Sequence, residues 1–325
     1  MPLHTFDFFE INGRPYYVGH GGLDWFLPNY DDRDVTVFGM GGGDNIFTGD
    51  GDDFIYGGDD GDNLSGGGGA DYVYGEEGDD TIYTSEGEDV LDGGDGVDTL
   101  RLDSDEATGW SVDLSQGLAF RVVGNPFSFN IFGDEADGRI DVAEIANFEN
   151  VTGSSRDDVI VGDDRDNVLR DDWSGVARDD DVLRGGGGND TLIAWGGGTD
   201  ELYGEDGDDR LEIWSGAKES RLDGGAGADD FVFRDWHGHD GHLATVEDFD
   251  WREGDTILLD SDFFLDTDLS DGTGIPGEMS YWVEQTGSTA RLGFDNDRDQ
   301  VEDYHIIVEL EGPGAFLPLY DVAFF

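Results

Sequence analysis

A repeat of nine residues runs without a gap from Gly39 to Arg101, and it restricts the fold of this 325-residue chain more than any other feature. Seven segments follow one another, from GMGGGDNIF to GGDGVDTLR. The sixth place is always an aspartate: Asp44, Asp53, Asp62, Asp71, Asp80, Asp89 and Asp98. The eighth place is always aliphatic: Ile46, Ile55, Leu64, Val73, Ile82, Leu91 and Leu100. A short period that keeps two columns over this length is typical of a solenoid.

Each segment predicts a six-residue turn followed by a three-residue strand whose central, eighth-place side chain points inward. Glycine suits such turns because it reaches positive φ and lets neighbouring backbones approach closely. Two segments make one coil, so turns on the same edge are 18 residues apart. Successive coils stack at the ordinary strand spacing of about 4.8 Å. The pattern therefore predicts an all-β fold, a right-handed parallel β-roll.

This stacking brings carboxylates together in a chain whose formal net charge is -61. The expected neighbours are Asp44 and Asp62, Asp53 and Asp71, Asp62 and Asp80, Asp71 and Asp89, and Asp80 and Asp98. Like charges at this distance repel strongly. Carboxylates and turn carbonyls together supply about six hard oxygen ligands, the set that calcium prefers. The sequence therefore predicts multiple calcium ions, bound by the seven aspartates and by turn glycines, among them Gly57, Gly66, Gly68, Gly75 and Gly93.

The composition also excludes several functions. The negative charge repels nucleic acid and anionic lipid, so neither is an expected partner. No apolar run approaches the roughly 20 residues that cross a bilayer, so membrane insertion is not expected. The chain has no cysteine for disulfides or thiolate metal sites. The first residues, MPLHTFDFFEINGRPYYV, have neither the basic start nor the apolar core of a cleaved signal peptide.

The segments resemble the G-G-x-G-x-D-x-(aliphatic)-x repeats of the RTX, or hemolysin-type, calcium-binding proteins. GGGGADYVY and GGDGVDTLR are close to ideal copies. The resemblance implies a calcium-loaded β-roll, secretion through a type I apparatus and folding only outside the cell, so the expected location is extracellular. A flexible Gly/Asp-rich linker is the alternative, but a linker would not keep an aliphatic residue in register.

A second, less regular block follows. Its alternate turns GDDRDN, GGGGND, GEDGDD and GGAGAD keep the RTX form. They are predicted to bind calcium through Asn167, Asp190, Asp209 and Asp229, with Gly185, Gly187, Gly204 and Gly224. The opposite turns have Asp158, Asp181 and Asp200 as candidate ligands at the sixth place. Because these turns contain the insertions, we expect that edge to be poor in metal.

Three tryptophans, Trp173, Trp195 and Trp214, fall in or beside the irregular turns, about one coil apart. A row of exposed indoles could stack on sugar rings. Alternatively, the rings cover the roll where calcium is missing, each burying on the order of 200 Å². Burial is the commoner use of such rings, and we favour it.

The repeats divide the chain into five regions. Residues 1–38 are not repetitive and contain Asn12-Gly13 between apolar-rich segments, which predicts an N-terminal β-hairpin cap. Residues 39–101 are the first block of the roll, residues 102–152 an irregular interlude in which looser coils are expected, and residues 153–232 the second block. Residues 233–325 are a predicted C-terminal β cap.

The last region resembles the C-terminal part of the serralysin family, in FVFRDWHGHDGHLATVEDFDWREGDTILLD and STARLGFDNDRDQVEDYHIIVELEG. That resemblance implies closing antiparallel strands and a terminal export signal, here DVAFF. Asp248 and Asp255 match the element that ends the family's roll, and Asp295, Asp297, Asp299 and Asp303 look like its D-x-D-x-D loop, so both are candidate calcium ligands. The loop lacks the glycine and the twelfth-place glutamate of an EF-hand.

No catalytic motif is recognisable. The H-E-x-x-H motif of a protease is absent, and no G-x-S-x-G or Ser/His/Asp arrangement stands out. HGHDGH, residues 237–242, indicates a solvated loop rather than zinc. We therefore predict a secreted, non-catalytic calcium-binding protein with a matrix, surface or glycan-binding role and an extracellular polysaccharide among its partners. The alternative is the calcium-binding part of a polysaccharide epimerase or lyase, which a groove with paired carboxylates, Tyr and Arg would favour.

Overall fold

The computed structural model describes residues 6–27, 33–103, 109–122, 139–171, 179–195, 197–214, 219–234, 241–259, 280–295, 304–310, 317 and 322–324. All regular secondary structure in these ranges is β. They contain no helix that is long and apolar enough to cross a membrane. The chain divides into two compact units, Met1–Val161 and Gly162–Phe325.

The first unit contains strands β1 to β17. Their bounds are β1 Asp7–Ile11, β2 Arg14–Val18, β3 Trp25–Phe26, β4 Thr36–Gly41, β5 Asn45–Phe47, β6 Phe54–Asp59, β7 Asn63–Ser65, β8 Gly68–Gly69, β9 Tyr72–Glu77, β10 Thr81–Tyr83, β11 Glu86–Asp95, β12 Thr99–Arg101, β13 Trp110–Asp113, β14 Leu118–Val122, β15 Arg139–Ala146, β16 Asn150–Thr152 and β17 Val159–Val161.

Two parallel sheets form the roll of this unit. One contains β2, β4, β6, β9 and β11 in that order, and the other β3, β5, β7, β10, β12 and β16. Eighth-place residues pair with each other across coils, as Ile55 with Val73 and Ile46 with Leu64. All seven are at most 1% exposed and form the core between the sheets. The predicted all-β parallel roll is confirmed.

The Asn12-Gly13 turn joins β1 and β2 as an antiparallel hairpin. Both turn residues have positive φ, 53° and 85°, as the tight hairpin turn requires. Strand β2 then pairs in parallel with β4 of the roll. The hairpin predicted from the Asn-Gly pair is therefore present, and it continues one sheet of the roll.

The expectation that residues 1–38 lack the repeat is wrong. Residues 19–27, GHGGLDWFL, form a further turn and strand, with Asp24 at the sixth place and Phe26 at the eighth. Phe26 pairs with Ile46 and is 7% exposed. The repeat is hidden because Asp24 and Asp44 are 20 residues apart rather than 18.

The interlude also differs from a run of looser coils. One sheet continues directly, since Leu100 pairs with Val151. In the other sheet the strand order is β11, β15, β14, β13 and β17. The outer pairs β11–β15 and β13–β17 are parallel, and β14 is antiparallel to both of its neighbours, β15 and β13. Arg121 of β14 is 7% exposed and donates hydrogen bonds to Asp141 of β15. This ion pair, buried on the Arg121 side, joins the two antiparallel strands.

The second unit contains strands β18 to β30. Their bounds are β18 Val168–Arg170, β19 Val182–Gly187, β20 Thr191–Ala194, β21 Glu201–Asp206, β22 Arg210–Ile213, β23 Ser220–Ala226, β24 Asp230–Phe233, β25 Gly241–Phe249, β26 Thr256–Leu259, β27 Ser280–Thr286, β28 Thr289–Asp295, β29 Tyr304–Leu310 and β30 Val322–Phe324.

This unit repeats the roll with longer turns. One sheet contains β19, β21, β23 and β25, and the other β18, β20, β22, β24, β26 and β30, all parallel. The inward residues of the predicted block are fully buried: Leu169, Leu183, Leu192, Leu202, Leu211, Leu222 and Phe231. Inserted residues thus lengthen the turns and leave the register of the core unchanged.

Antiparallel strands follow at the carboxyl end of this unit. Strand β28 is antiparallel to both β27 and β29, and β29 pairs in parallel with β25. Antiparallel strands were predicted for this region. In the DVAFF segment, Val322–Phe324 forms β30, which pairs with β26.

Candidate metal centre

The sixth-place aspartates of the first unit form two ladders. The first edge carries Asp44, Asp62, Asp80 and Asp98, and the second edge carries Asp53, Asp71 and Asp89. At each step, the Oδ1 atom of one aspartate accepts a hydrogen bond from the backbone N–H of the aspartate 18 residues earlier, over 2.6–3.0 Å. The five predicted neighbour pairs are therefore all in contact.

Most of these aspartates use only one of their two carboxylate oxygens. The Oδ2 atoms of Asp44, Asp53, Asp62, Asp71, Asp80 and Asp98 are buried and accept no hydrogen bond. The six side chains are at most 2% exposed. A buried, charged oxygen without a donor or a cation is costly, because it has lost its hydration and gained nothing in exchange.

Glycine at the first place of the segment shapes the surroundings of the bare oxygen. A methyl group on Gly39 would lie 2.6 Å from Asp44 Oδ2 and would overlap the carbonyl oxygen of Gly57 in the next coil. A methyl group on Gly57, Gly75 or Gly93 would clash in the same way. Each would meet the aspartate carboxylate of its own segment and a carbonyl oxygen of the next coil. A carboxylate oxygen and a carbonyl oxygen thus converge beside each glycine. Two acceptors facing one point suit a cation.

Burial and like charge both disfavour the ionised form of these groups. Burial raises the pKa of Asp71 to about 8, and the carboxylates of Asp89 and Asp53 contribute to the increase. Burial likewise raises the pKa of Asp44 and of Asp62 to about 7. Burial also raises the pKa to about 6 for four further aspartates: Asp53, Asp80, Asp89 and Asp98.

Hydroxyl groups replace first-place or second-place glycines on the second edge. In TSEGED, residues 84–89, the Ser85 hydroxyl donates to Asp89 Oδ2 over 3.0 Å. In TGDGDD, residues 48–53, the Thr48 hydroxyl donates to the carbonyl oxygen of Gly66 over 2.6 Å. The two edges are therefore not equivalent, since the first edge has glycine at each first place. Sequence reasoning treated all seven aspartates alike.

The regular edge of the second unit carries Asn167, Asp190, Asp209 and Asp229. As in the first unit, the backbone N–H of each of these residues donates to the side-chain Oδ1 atom of the next one along the edge, over 2.7–2.8 Å. The N–H of Asp229 donates in the same way to Asp255 Oδ1 over 3.1 Å. The Oδ2 atoms of Asp190 and Asp209 are buried and accept no hydrogen bond. A methyl group on Gly185 would overlap Asp190 Oδ2 and the carbonyl oxygen of Gly204. A methyl group on Gly204 would likewise overlap Asp209 Oδ2 and the carbonyl oxygen of Gly224.

The remaining predicted ligands on this edge differ. Asn167 Oδ1 accepts the N–H of Asp163 over 2.8 Å. Asp255 Oδ2 accepts the N–H of Asp250 over 2.6 Å, so both of its oxygens have donors. Asp248 accepts the N–H groups of Gly224 and Gly225 over 3.0 Å and 2.5 Å. Backbone donors thus already occupy the Asp248 and Asp255 carboxylates.

Two predicted glycines lie away from the ladder oxygens. A methyl group on Gly68 would have Asp50 Oδ1 as its nearest neighbour, at 3.6 Å, and one on Gly187 would have Asp164 Oδ1 at 3.6 Å. A methyl group on Gly66 or Gly224 would instead overlap the ladder aspartate of its own turn, Asp71 or Asp229. First-place glycines therefore line the ladder, and third-place glycines contact the outer part of the turn.

The irregular edge, with Asp181, Asp200 and Ser220 at the sixth places, is predicted to be poor in metal, and this stays a prediction. One carboxylate oxygen from each of Asp171, Asp181 and Asp200 lies within 4.8 Å of the others, and all three side chains are buried. Among the described residues, this is the one group of three acidic or histidine side chains close enough to share an ion. Burial raises the pKa of Asp200 to about 7. Sequence reasoning missed Asp171 because it follows a strand rather than occupying a sixth place.

Other candidates do not join these ladders. Asp158 accepts the N–H of Trp110 over 2.6 Å and the N–H of Ser154 over 2.6 Å. Asp295 ends β28, where only its backbone is described. Asp297, Asp299 and Asp303 lie outside the described residues, so the predicted D-x-D-x-D site stays a prediction.

Two of the three tryptophans stack on each other. The rings of Trp195 and Trp214 have centroids 4.3 Å apart, and the Arg234 guanidinium lies 5.1 Å from the centroid of the Trp214 ring. Trp214 Nε1 donates to Glu212 over 3.1 Å. Packing against protein, which we favoured over sugar stacking, fits this arrangement. Trp173 lies outside the described residues.

Comparison with known proteins agrees with the geometry. The family model of the RTX calcium-binding nonapeptide repeat matches four copies, at residues 38–73, 65–100, 178–211 and 196–217. The matched segments of the roll are therefore RTX calcium-binding repeats, as predicted.

The wider comparisons are less specific. No curated protein matches the chain. A solved structure, the extracellular lipase LipA from Serratia marcescens, is similar to 85% of this chain at 18% identity and a TM-score of 0.23. This chain covers 40% of the length of that lipase's chain. At this level of similarity, the lipase provides no basis for assigning an activity.

The raised pKa values predict how the calcium-free protein responds to pH. A group whose pKa is raised on folding stabilises the folded state when protonated. The stabilisation is complete below the ordinary aspartate value of 3.8 and is lost as the pH rises through about 6 to 8. In chelator, we therefore expect β-structure to increase when the pH falls from about 8 to about 4. Circular dichroism measures this change, and greater order at pH 8 than at pH 4 would contradict it.

Proposed function

We propose that this protein is secreted without folding and that calcium outside the cell orders its roll, which then serves a non-catalytic matrix, surface or glycan-binding role. The observation that supports the proposal most directly is the set of buried carboxylate oxygens without donors. Each one on the first edge lies beside a glycine and close to a carbonyl of the next coil. A cation would satisfy both oxygens and remove the like-charge repulsion.

The residues that would hold calcium follow from these contacts. On the first edge they are the carboxylates of Asp44, Asp62, Asp80 and Asp98, with carbonyls that include those of Gly57, Gly75 and Gly93. On the regular edge they are Asp190 and Asp209, with the carbonyls of Gly204 and Gly224. All these donors are oxygens, which suits a hard cation such as calcium rather than zinc.

Calcium binding would then be coupled to folding. A bound ion contributes to folding because the paired oxygens come together only when two coils are stacked. Extracellular calcium modules typically have dissociation constants of about 10⁻⁴ to 10⁻³ M. A site in that range would be empty in a low-calcium cytosol and filled outside the cell.

Replacing one ladder aspartate tests this coupling. Asp62→Asn removes the charge of a 2% exposed carboxylate, and Asp60→Asn removes an equal charge from an exposed residue of the same turn. Loss of a charge-assisted contact of about 1.5 kcal/mol should raise the calcium concentration for half-folding in D62N, by about tenfold if one ion is coupled to folding and by a smaller factor if several are. D60N should keep the wild-type midpoint, because its exposed charge is screened.

Circular dichroism during a calcium titration measures both variants. The wild-type chain should be largely disordered in chelator at neutral pH and ordered in calcium. A fully ordered chain in chelator, or equal midpoints for D62N and D60N, would contradict the proposed coupling.

We also propose export through a type I apparatus. The RTX repeats support this route, as does the expectation that the calcium sites are empty in a low-calcium cytosol. Co-expression with such an apparatus tests this proposal. The intact chain should accumulate in the medium, whereas a chain without residues 301–325 should stay in the cell and a chain without residues 1–30 should be exported. Equal secretion of both truncated chains would argue against the proposed signal.

One observation favours the alternative of a polysaccharide-acting enzyme. An open cavity of about 500 Å³ on the second edge is lined by Asp50, Tyr83, Glu86 and Asp103, among other residues. The Arg101 guanidinium lies 5.7 Å from the centroid of the Tyr83 ring. Carboxylates and a tyrosine therefore line one cavity, and an arginine lies against the ring of that tyrosine, which is close to the combination that the enzyme hypothesis requires.

A glycan array in calcium, followed by product analysis of every polysaccharide that binds, separates the two functions. We expect binding without change to the polysaccharide. Epimerised or cleaved products that disappear in Tyr83→Phe, while binding persists, would instead support the enzyme and contradict the non-catalytic role.

A further inference from the structure

The N-terminal hairpin extends one sheet of the roll and leaves its own outer strand open. Strand β1 pairs with β2 along one edge, and within the described residues its other edge has no strand beside it. All five residues of β1 are exposed. An edge strand of this kind presents a row of unpaired backbone N–H and C=O groups, which can pair with another chain.

Large apolar side chains are concentrated at this end of the first unit. Six of the nine exposed large hydrophobic side chains in the described residues lie between residues 8 and 27: Phe8, Phe9, Ile11, Leu23, Trp25 and Leu27. Each is about half exposed. At about 200 Å² for a whole side chain, the six together present roughly 600 Å². Apolar surface of this extent is typical of an interaction site.

A series of ring contacts connects β1 to β3 at this end. The Phe8 ring lies 5.2 Å from that of Tyr17, and the Tyr17 ring lies 4.6 Å from that of Phe26, measured between centroids. Trp25 and Leu27 flank Phe26 in the sequence. The exposed side chains of β1 and those around β3 therefore lie at the same end of the roll.

Charge opposes contact between two copies less at this end than over the whole chain. Residues 6–27 contain three acidic side chains and one arginine, and one of the three, Asp24, is fully buried. The whole chain has 78 acidic side chains against 17 lysines and arginines. A second copy therefore meets weaker repulsion here than the average for the protein.

The sequence of β1, DFFEI, suits antiparallel pairing with a second copy of itself. With the two-fold axis at Phe9, each Phe9 faces its counterpart, each Phe8 faces a Glu10 and each Asp7 faces an Ile11. No carboxylate then faces another carboxylate, so the penalty for directly opposed like charges is avoided.

The hydrogen-bonding pattern of the hairpin agrees with this register. The two-residue turn makes Ile11 and Arg14 a hydrogen-bonded pair, and alternate residues of β1 therefore direct their backbone groups to the free edge. These residues are Phe8 and Glu10, which would exchange hydrogen bonds with the Glu10 and Phe8 of the second copy. The two Phe9 residues would form a non-hydrogen-bonded pair, in which side chains lie closest.

We propose that two copies of this protein associate through the free edges of their β1 strands, paired antiparallel in register at Phe9. If each copy buries roughly 600 Å², the interface totals about 1,200 Å², the lower end of the size of specific interfaces. The same surface is used on both copies, so the contact closes on itself and the assembly stops at a dimer.

Two substitutions of the same kind separate this edge from the rest of the surface. Phe9→Glu places two carboxylates opposite each other and removes the apolar contact, so it should weaken dimerisation at least about tenfold. Val97→Glu adds an equal charge in a turn of the first block, at a residue that is 54% exposed against 52% for Phe9. It should leave dimerisation unchanged.

A charge exchange at Phe9 tests the register. Phe9→Lys alone should also be monomeric, because two ammonium groups then face each other. An equal mixture of Phe9→Glu and Phe9→Lys should form dimers, since opposite charges then meet across the two-fold axis. Recovery in the mixture also shows that neither variant has lost its fold.

Sedimentation equilibrium of the full chain in calcium, over a series of concentrations, measures the association. The wild type and Val97→Glu should reach the mass of two 35.4-kDa chains, and each Phe9 variant alone should stay near the mass of one. Circular dichroism in calcium should show equal β-structure in all of them.

Three results would count against the proposal. Interfaces of this size bind at micromolar concentrations or below, so a wild type that is monomeric at about 100 μM would overturn the dimer. Equal weakening by Phe9→Glu and Val97→Glu would attribute the effect to net charge and overturn the role of β1. A mixture of the two Phe9 variants that stays monomeric would overturn the register.

Discussion

Like charges stacked at the spacing of β-strands are the constraint on which the rest of this structure depends. Two carboxylates about 4.8 Å apart repel by about 3–4 kcal/mol at an effective dielectric constant near 20. The hydrogen bond between coils satisfies one oxygen of each aspartate, but it leaves the second buried and bare along most of the first unit's ladders. The core offers little compensation, because each segment contributes one inward side chain. A partner that carries positive charge would relieve this repulsion and satisfy the bare oxygens.

A single position in each segment controls how a ladder step is completed. Glycine at the first place leaves the carboxylate and carbonyl oxygens facing each other, as at Gly57 and Gly75. A hydroxyl in the turn can instead bind one of those acceptors, as Ser85 and Thr48 do. A small sequence change can thus supply a hydrogen bond to one of these acceptors without altering the strands, so the acceptors on the two edges of one roll are satisfied differently.

The sequence was sufficient to predict the parts of the fold that the period determines. The inward column from Ile46 to Leu100 and the stacked aspartate pairs follow directly from a spacing of nine, because that spacing fixes which side chains share a face. Asp24 escaped prediction because two extra residues shift its segment out of the period. Asp171 escaped because its approach to Asp200 depends on an irregular turn, whose path no periodic pattern encodes. The occupied oxygens of Asp255 were equally hidden, since their donors are backbone groups.

The ladder has a direction along the chain. In every step, the carboxylate belongs to the later coil and the N–H that it binds belongs to the earlier one, as when Asp80 accepts from Asp62. An ordered coil therefore presents its ladder carboxylates to the coil that precedes it in sequence. If the carboxyl end emerges first from a channel, each newly emerging coil meets acceptors that are already in position. Assembly would then proceed as a one-way zipper, in which the completed part of the roll draws the chain outward and hinders its return.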